Sequence, residues 1–342
     1  ALDARTGRRL WHYQTIHHGL WDYDLPAPPN VVTVRRGETQ VDAVLVPTKQ
    51  GWVFAFDRVT GRPLWPIEER PVPPSDVPGE AAWPTQPFPT RPSPIAAQGF
   101  GEGDVIAFTP AVKAAALAQL RKFRAGPLFT PPSLEGTVTN PGAIGGAGWG
   151  GAAYDPETST LYVKATNSPA LWKLARRPAP SDTNDSDYFT DLGGSSLGVV
   201  VPGFERDSAG RPIPPLPINK PPYGVLTAID MSTGEHRWQV PIGDTPAVRT
   251  HPALKGAPLP ELLGVAGAPG AVVTRGGLLF LTGGGNTLYA IDTRDGSVRW
   301  SHALGTVGYA NPMTYRTRAG RQFVVIATGV GANTALRAFA LP

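Results

Sequence analysis

The chain has 342 residues, 41% of them apolar, with 40 Gly, 39 Pro, no Cys and a net charge of +4. The missing thiols exclude structural disulfides, thiolate metal sites and a covalently attached c-type haem within this segment. No apolar run reaches the roughly 18 residues of a membrane span, and the scattered charge gives no basic stripe with interleaved aromatics, so nucleic acid is not an expected partner.

An eleven-residue pattern, A-x-D-x-x-[TD]-G-x-x-x-W, opens the chain at Ala1–Trp11 and recurs at Ala55–Trp65, Ala228–Trp238 and Ala290–Trp300. A degenerate copy without the Gly spans Ala153–Tyr162. The pattern has a physical meaning. Asp starts a turn by accepting from backbone N–H groups just ahead, Gly takes the positive-φ position, and the next strand carries Trp into a layer between sheets. A motif repeated at blade-sized spacing predicts an all-β propeller with Trp11, Trp65, Trp238 and Trp300 buried between blades.

Residues 12–30 follow the first copy and contain His17, His18 and the run Trp21-Asp22-Tyr23-Asp24. On a strand, Asp22 and Asp24 point to the same side, whereas His17 and His18 face opposite sides. Lys49 lies in VLVPTKQGWVFAF, an apolar strand pair in which a lysine needs a reason. Pro66–Gly99 is Pro-rich and reads as irregular loop. Thr109–Phe123 is the one helix expected, with Thr109 as cap and Pro110 in the first turn. Trp149 and Gly150 fall in a glycine-rich run, Asn167 ends the strand-like YVKAT, and Pro178–Pro222 is a polar, Pro-rich excursion. Gly331 and Ala332 sit in a second glycine-bearing turn, TGVGAN.

Two motifs mislead. Gly194-Ser195-Ser196-Leu197-Gly198 matches G-x-S-x-G but lacks the strand-to-helix setting of a hydrolase nucleophile. Gly146, Gly148 and Gly151 match G-x-G-x-x-G, yet a strand follows where a dinucleotide site needs a helix.

The sequence resembles the PQQ-dependent (quinoprotein) dehydrogenases, in their glucose and polyol dehydrogenase branch. The resemblance rests on the repeat, HHGLWDYDLPAPPN, VPTKQGWVFAFDRVTG, GPLFTPPSLEGT, WGGAAYDPETSTLYV and NPMTY. It implies one propeller domain over residues 1–342, of the quinoprotein alcohol dehydrogenase type. About five of eight blades would be present, with insertions near 66–124 and 178–222 and an N-terminal portion lying outside the chain. It implies PQQ and a divalent metal, Ca²⁺ or Mg²⁺, as cofactors. Asp22 would be the catalytic base and a metal contact. Lys49 would bond the quinone oxygens, and Asn167, Trp149, Gly150, Gly331 and Ala332 would approach the cofactor. The substrate would be a sugar, polyol or alcohol, the acceptor a membrane quinone, and the location periplasmic. A non-catalytic scaffold propeller keeps the docking repeat but has no need of the WDYD and PTKQG blocks.

Overall fold

The computed structural model describes residues 1–177 and 186–341. The chain enters through a short hairpin closed by a bridge between Leu2 and Arg9. The strands β1 (Asn30–Arg36), β2 (Thr39–Pro47) and β3 (Val53–Asp57) then form an antiparallel sheet. A bridge from Phe56 to Pro63 supplies a vestige of a fourth strand.

Next come β4 (Ile67–Pro71) and β5 (Thr85–Pro89), paired as a hairpin. The stretch expected to be irregular loop thus carries regular pairing despite its prolines, which a two-stranded, edge-only ladder tolerates. Helix α1 (Pro110–Leu120) follows, with Thr109 Oγ1 accepting from Val112 N at 3.2 Å as the sequence requires.

The middle of the chain interleaves two sheets. The strands β6 (Arg124–Ala125), β7 (Thr137–Thr139), β10 (Ala170–Arg176) and β11 (Tyr188–Ser196) form one, in the order β11-β10-β7-β6. Between them in sequence, β8 (Ala152–Asp155) and β9 (Thr160–Thr166) join β14 (Gly224–Asp230) and β15 (Glu235–Pro241) in another, ordered β15-β14-β9-β8. A small pair, β12 (Gly198–Val199) with β13 (Leu216–Pro217), packs with α1 into a separate apolar cluster around Ile106, Leu120, Val199 and Ile218. The polar excursion is therefore partly sheet; its first residues, 178–185, lie outside the described residues. The G-x-S-x-G match falls across β11 and β12, with no helix after it.

The short helix α2 (Pro246–Arg249) leads to β16 (Val272–Val273), β17 (Leu278–Leu281), β18 (Thr287–Asp292) and β19 (Val298–Ala303), a four-stranded meander. The last sheet is β20 (Met313–Arg316), β21 (Gln322–Thr328) and β22 (Ala335–Phe339).

Four sheets pack face to face in succession, as blades do. Val34, Leu45 and Val53 of the first meet Leu161, Val163 and Ile229 of the second. Tyr162, Leu226 and Ala228 of the second meet Leu279, Leu281 and Ile291 of the third. Leu288 of the third meets Ile326 of the fourth. Five motif copies do not mean five blades, however. Ala153–Tyr162 is the β8–β9 hairpin of the blade that already carries the Ala228–Trp238 copy. An Asp-led turn between two strands is enough to imitate the pattern.

The glycine positions behave as the repeat demands. Gly7, Gly61, Gly234 and Gly296 have φ of +70°, +73°, +78° and +76°. Trp11, Trp65 and Trp238 each lie over the glycine of the next motif in space. A Cβ added to Gly61 would sit 2.6 Å from the Trp11 ring, one on Gly234 3.1 Å from Trp65, and one on Gly296 3.0 Å from Trp238. Trp11 Nε1 donates to Arg58 O and Trp238 Nε1 to Thr293 O, each at 3.0 Å and each to the residue after the motif aspartate.

The expectation of four buried indoles holds only in part. Trp65 is buried, Trp11 and Trp238 are half-buried, and Trp300 is 40% exposed. Trp300 meets Phe339 edge-on at 5.5 Å, because β22 presents no motif glycine beneath it among the described residues.

Replacing Gly61 with Ala should cost about 2–3 kcal/mol, since the new Cβ both strains a left-handed residue and displaces Trp11. Gly37→Ala is the control: φ is +62° but nothing lies within 4 Å, so only the backbone cost of about 1 kcal/mol remains. Urea unfolding of the two variants separates docking from turn strain, and equal losses would mean that the indole contributes nothing.

Candidate functional site

Antiparallel order divides the blades into two ends. The motif hairpins, between third and fourth strands, lie at one end. The turns between second and third strands lie at the other, and so do the segments that enter each first strand. Lys49 (β2 to β3), Asn167 (after β9) and Gly331–Ala332 (β21 to β22) are all such second-to-third turns. Asp22 and Trp149–Gly150 lie on segments entering β1 and β8. The sequence-derived candidates thus share one end of the molecule.

Asp22 and Asp24 are presented by their neighbours. Trp21 and Tyr23 are 1% and 3% exposed and pack with Phe129. Trp21 Nε1 donates to Thr130 O at 2.9 Å and Tyr23 Oη to Pro141 O at 2.6 Å. With the rings anchored inward, the alternate carboxylates face outward. No strand forms here, contrary to the period-two picture. Asp22 instead takes φ of +59°, a conformation that costs a non-glycine residue about 1 kcal/mol and that recurs where function over-determines the backbone.

Lys49 supplies the counter-charge. Its residue is 7% exposed, and the tight turn around it is closed by Gly51 N donating to Thr48 O at 3.0 Å. Gly146 N donates to Lys49 O at 2.8 Å, pressing the Gly145–Ala147 backbone onto the lysine. A Cβ on Gly145 would fall 2.4 Å from Lys49 Cγ, so glycine is required there. The ammonium emerges between the two carboxylates, 3.1 Å from Asp22 Oδ2 and 2.5 Å from Asp24 Oδ1. Asp22 and Asp24 side chains are 53% and 58% exposed, so the trio opens outward from a buried stem. Asp24, expected on the same side as Asp22, is the nearer partner.

The other candidates divide. Trp149 is 81% exposed, an indole free at the same end. Gly150 is a packing glycine: a Cβ there would lie 2.1 Å from Gly270 N, and Asn311 ties the two backbones through Gly150 O and Gly270 N. Asn167 spends its amide on the scaffold, with Oδ1 accepting from Ala97 N at 2.9 Å and Nδ2 donating to Pro222 O at 2.8 Å. Gly331 and Ala332 lie in an exposed single turn of 3₁₀ helix between β21 and β22 of the last sheet.

His17 and His18 are not on a strand, so the alternation argument does not apply to them. His17 Nε2 sits 3.0 Å from Glu69 Oε1, and His18 Nε2 sits 2.7 Å from Glu80 Oε1. Glu69 lies below the ordinary carboxylate range. Its burial acts upward, but bonds from His17 and Thr85 and the charge of His17 outweigh it. No local signal in the sequence pairs either histidine with a glutamate more than fifty residues away.

The donor set can be tested against the implied groups. A cation on a buried stem, two open carboxylates and an exposed indole at one end suit a flat quinone that must be polarised and approached by a proton acceptor. For a divalent ion the two aspartates are a partial set: no group of three or more His, Cys, Asp or Glu that could hold a metal occurs among the described residues.

Residues 1–324 match the family model described as "Glucose/ethanol/alcohol dehydrogenase, beta-propeller domain" of the PQQ family. Among curated relatives, the glycerol dehydrogenase large subunit of Gluconobacter oxydans is 34% identical over 96% of this chain and 46% of its own length. The quinate/shikimate dehydrogenase (quinone) of Acinetobacter baylyi is 32% identical over 96% of this chain and 41% of its own. The chain therefore spans less than half the length of these relatives. Among solved structures, quinohemoprotein alcohol dehydrogenase from Comamonas testosteroni aligns over 96% of this chain and 38% of its own, with a TM-score of 0.55 at 20% identity, a likeness of fold. The repeat, the packed four-sheet succession and the match over nearly the whole chain place it in the PQQ-dependent quinoprotein dehydrogenase β-propeller family.

Proposed function

We propose that the chain is part of a PQQ-dependent dehydrogenase that oxidises the CH–OH group of a sugar, polyol or alcohol. The observation that carries this is Lys49 Nζ held between Asp22 and Asp24 at the end of the blades opposite the motif hairpins. A scaffold propeller needs the docking tryptophans but has no use for a buried lysine opening onto two exposed carboxylates. Bound PQQ would supply the ortho-quinone that accepts the hydride, with Ca²⁺ or Mg²⁺ as Lewis acid.

The protein's own share is the base and the charge. Asp22 Oδ2 takes the hydroxyl proton as the C–H bond breaks. Its neighbour Lys49 holds the carboxylate in place and would bond a quinone oxygen, where negative charge grows. Asp24 shares the ammonium, which leaves Asp22 free to turn toward substrate without stranding the lysine. Trp149 offers an aromatic face for a planar ring. A periplasmic location and a membrane quinone as electron acceptor complete the proposal.

Lys49→Ala in the whole enzyme should weaken PQQ binding and lower kcat by about 10²-fold, the scale of losing one preorganised donor to a developing oxyanion. Cofactor titration by absorbance and steady-state rates at saturating PQQ measure the two effects separately. Unchanged affinity together with unchanged kcat would remove Lys49 from the site.

A further inference from the structure

The segment that carries Asp22 runs from Thr15 to Tyr23 outside any strand or helix, and it is held at both ends. Its far end is the pair of rings already described, Trp21 and Tyr23, packed on Phe129. Its near end is tied by one side chain, Gln86 of β5. His17 N donates to Gln86 Oε1 at 2.8 Å, and Gln86 Nε2 donates to His17 O at 2.7 Å. The amide side chain does here what a neighbouring strand's backbone would do, closing both bonds of one residue. Gln86 is 0% exposed, so water does not compete for either bond. Phe88, two residues along β5 and on the same face, meets Phe129 at 5.6 Å and Trp52 at 5.0 Å between ring centres. Gln86 therefore stands on the same aromatic cluster that anchors Trp21 and Tyr23.

Between the two ties the backbone turns left-handed twice at residues other than glycine. His18, directly after the clasped residue, has φ of +43°, and Asp22 has φ of +59°. Such conformations persist only where the surroundings over-determine them. Other contacts at the near end are weaker. The His17 and His18 rings meet Glu69 and Glu80, but both pairs are partly exposed, and exposed pairs contribute little. Gln50, the residue after Lys49, donates from Nε2 to Thr15 O over a long 3.4 Å. That bond joins the Lys49 turn to the start of the Asp22 segment without fixing His17. Loss of the Gln86 clasp frees His18 to leave its left-handed state, and Asp22, four residues on, swings with it.

We propose that Gln86 is a positioning residue for Asp22: by clasping the His17 backbone it holds the doubly left-handed path that presents the Asp22 carboxylate to Lys49 Nζ. Its effect on turnover rests on the dehydrogenase reading above; its effect on the Asp22–Lys49 pair does not.

Two measurements test it with Gln86→Met, which keeps the length of the side chain and removes both bonds. In the 342-residue chain, the amides of His18 to Tyr23 should exchange with solvent about 10-fold faster while those of β1 to β3 are unchanged. The Lys49 ammonium resonance should shift toward its position in Asp22→Asn. In the whole enzyme, Gln86→Met should lower kcat by about 10-fold to 100-fold, the scale of a misplaced reacting group, with PQQ affinity kept because the Lys49 turn is untouched. Placed on top of Asp22→Asn, the same substitution should cost less than about 2-fold more, since Gln86 acts through that carboxylate. If the methionine variant does not fold, Gln86→Glu, which keeps the acceptor for His17 N, should show the same pattern at about 3-fold in exchange. Wild-type exchange with an unmoved Lys49 resonance overturns the proposal, and so does a kcat loss of equal size in both backgrounds, which marks a merely structural residue. If Asp22→Asn abolishes turnover while Gln86→Met keeps full kcat, the dehydrogenase stands and the role of Gln86 falls. If exchange and the Lys49 resonance move as expected but the wild-type enzyme shows no PQQ-dependent turnover, Gln86 positions the carboxylate and the dehydrogenase reading falls.

Discussion

Asp22→Asn should reduce kcat of the whole enzyme by about 10²–10⁴-fold while leaving PQQ affinity largely intact, because base catalysis is worth that much and the amide keeps the carboxylate's shape. The structure sharpens the expectation. Asp22 bonds Lys49 at 3.1 Å and Asp24 bonds it at 2.5 Å, so the amide variant still leaves the ammonium one full carboxylate partner. Lys49 should stay in place, and the loss should appear in the proton-transfer step and not in folding or cofactor retention. Asp24→Asn is the companion measurement. It removes the nearer partner of the lysine, so Asp22 is drawn toward the ammonium, and a smaller loss of kcat, about 10-fold, is expected. Single-turnover rates at saturating PQQ and metal distinguish the two. An Asp22→Asn enzyme that keeps more than a tenth of wild-type kcat, or an Asp24→Asn enzyme that loses more, moves the base from one carboxylate to the other.

Much of this was legible in the chain because the information is local. An Asp-led turn, a positive-φ glycine and a tryptophan four residues later are contiguous, and the structure forms the turn in each of the four full copies. Strand alternation puts Asp22 and Asp24 on one side, and both do meet Lys49, but through a left-handed Asp22 and not through a strand. What could not be read depends on partners far away in sequence. Nothing near Ala170 says that β10 pairs with β7 while β8 and β9, lying between them, join β14. Ala153 looks like a motif start because its local turn chemistry is genuine, and only the pairing of β8 with β9 shows that its blade is already counted. Asn167 looked like a ligand residue since it ends a strand at the right place. Its amide is instead satisfied by Ala97 and Pro222, 70 and 55 residues away.

Lys164→Met should be the most destabilising single substitution at this end of the molecule, by about 2–4 kcal/mol in urea unfolding. Lys164 lies on β9, 3% exposed, and its Nζ donates to Ala165 O and Val265 O at 3.0 Å and to Gly267 O at 2.7 Å. Methionine keeps the apolar stem but removes all three donors. Gly267 O retains the Thr166 hydroxyl at 2.7 Å, whereas Val265 O loses its lysine partner, and a buried carbonyl left unmet costs about 1–3 kcal/mol. Val265 cannot retreat, because its oxygen is packed against Gly224, where an added Cβ would sit 2.0 Å away. Burial pushes the Lys164 pKa down to about 7, against the pull of the three acceptors. A lysine depressed in the folded state releases its proton on folding between that pH and its unfolded value near 10.4, so wild-type stability rises with pH across the window, by at most about 1.4 kcal/mol per unit. The Met variant has no such slope, and its deficit should widen from pH 6 to pH 9. A deficit that is constant over that range would place the Lys164 pKa at its ordinary value, with the three carbonyls fully offsetting burial. A deficit below 0.5 kcal/mol at both pH values would show that the Val265–Gly267 strap, which leads directly into the Gly270 contact with Gly150, is held without the lysine.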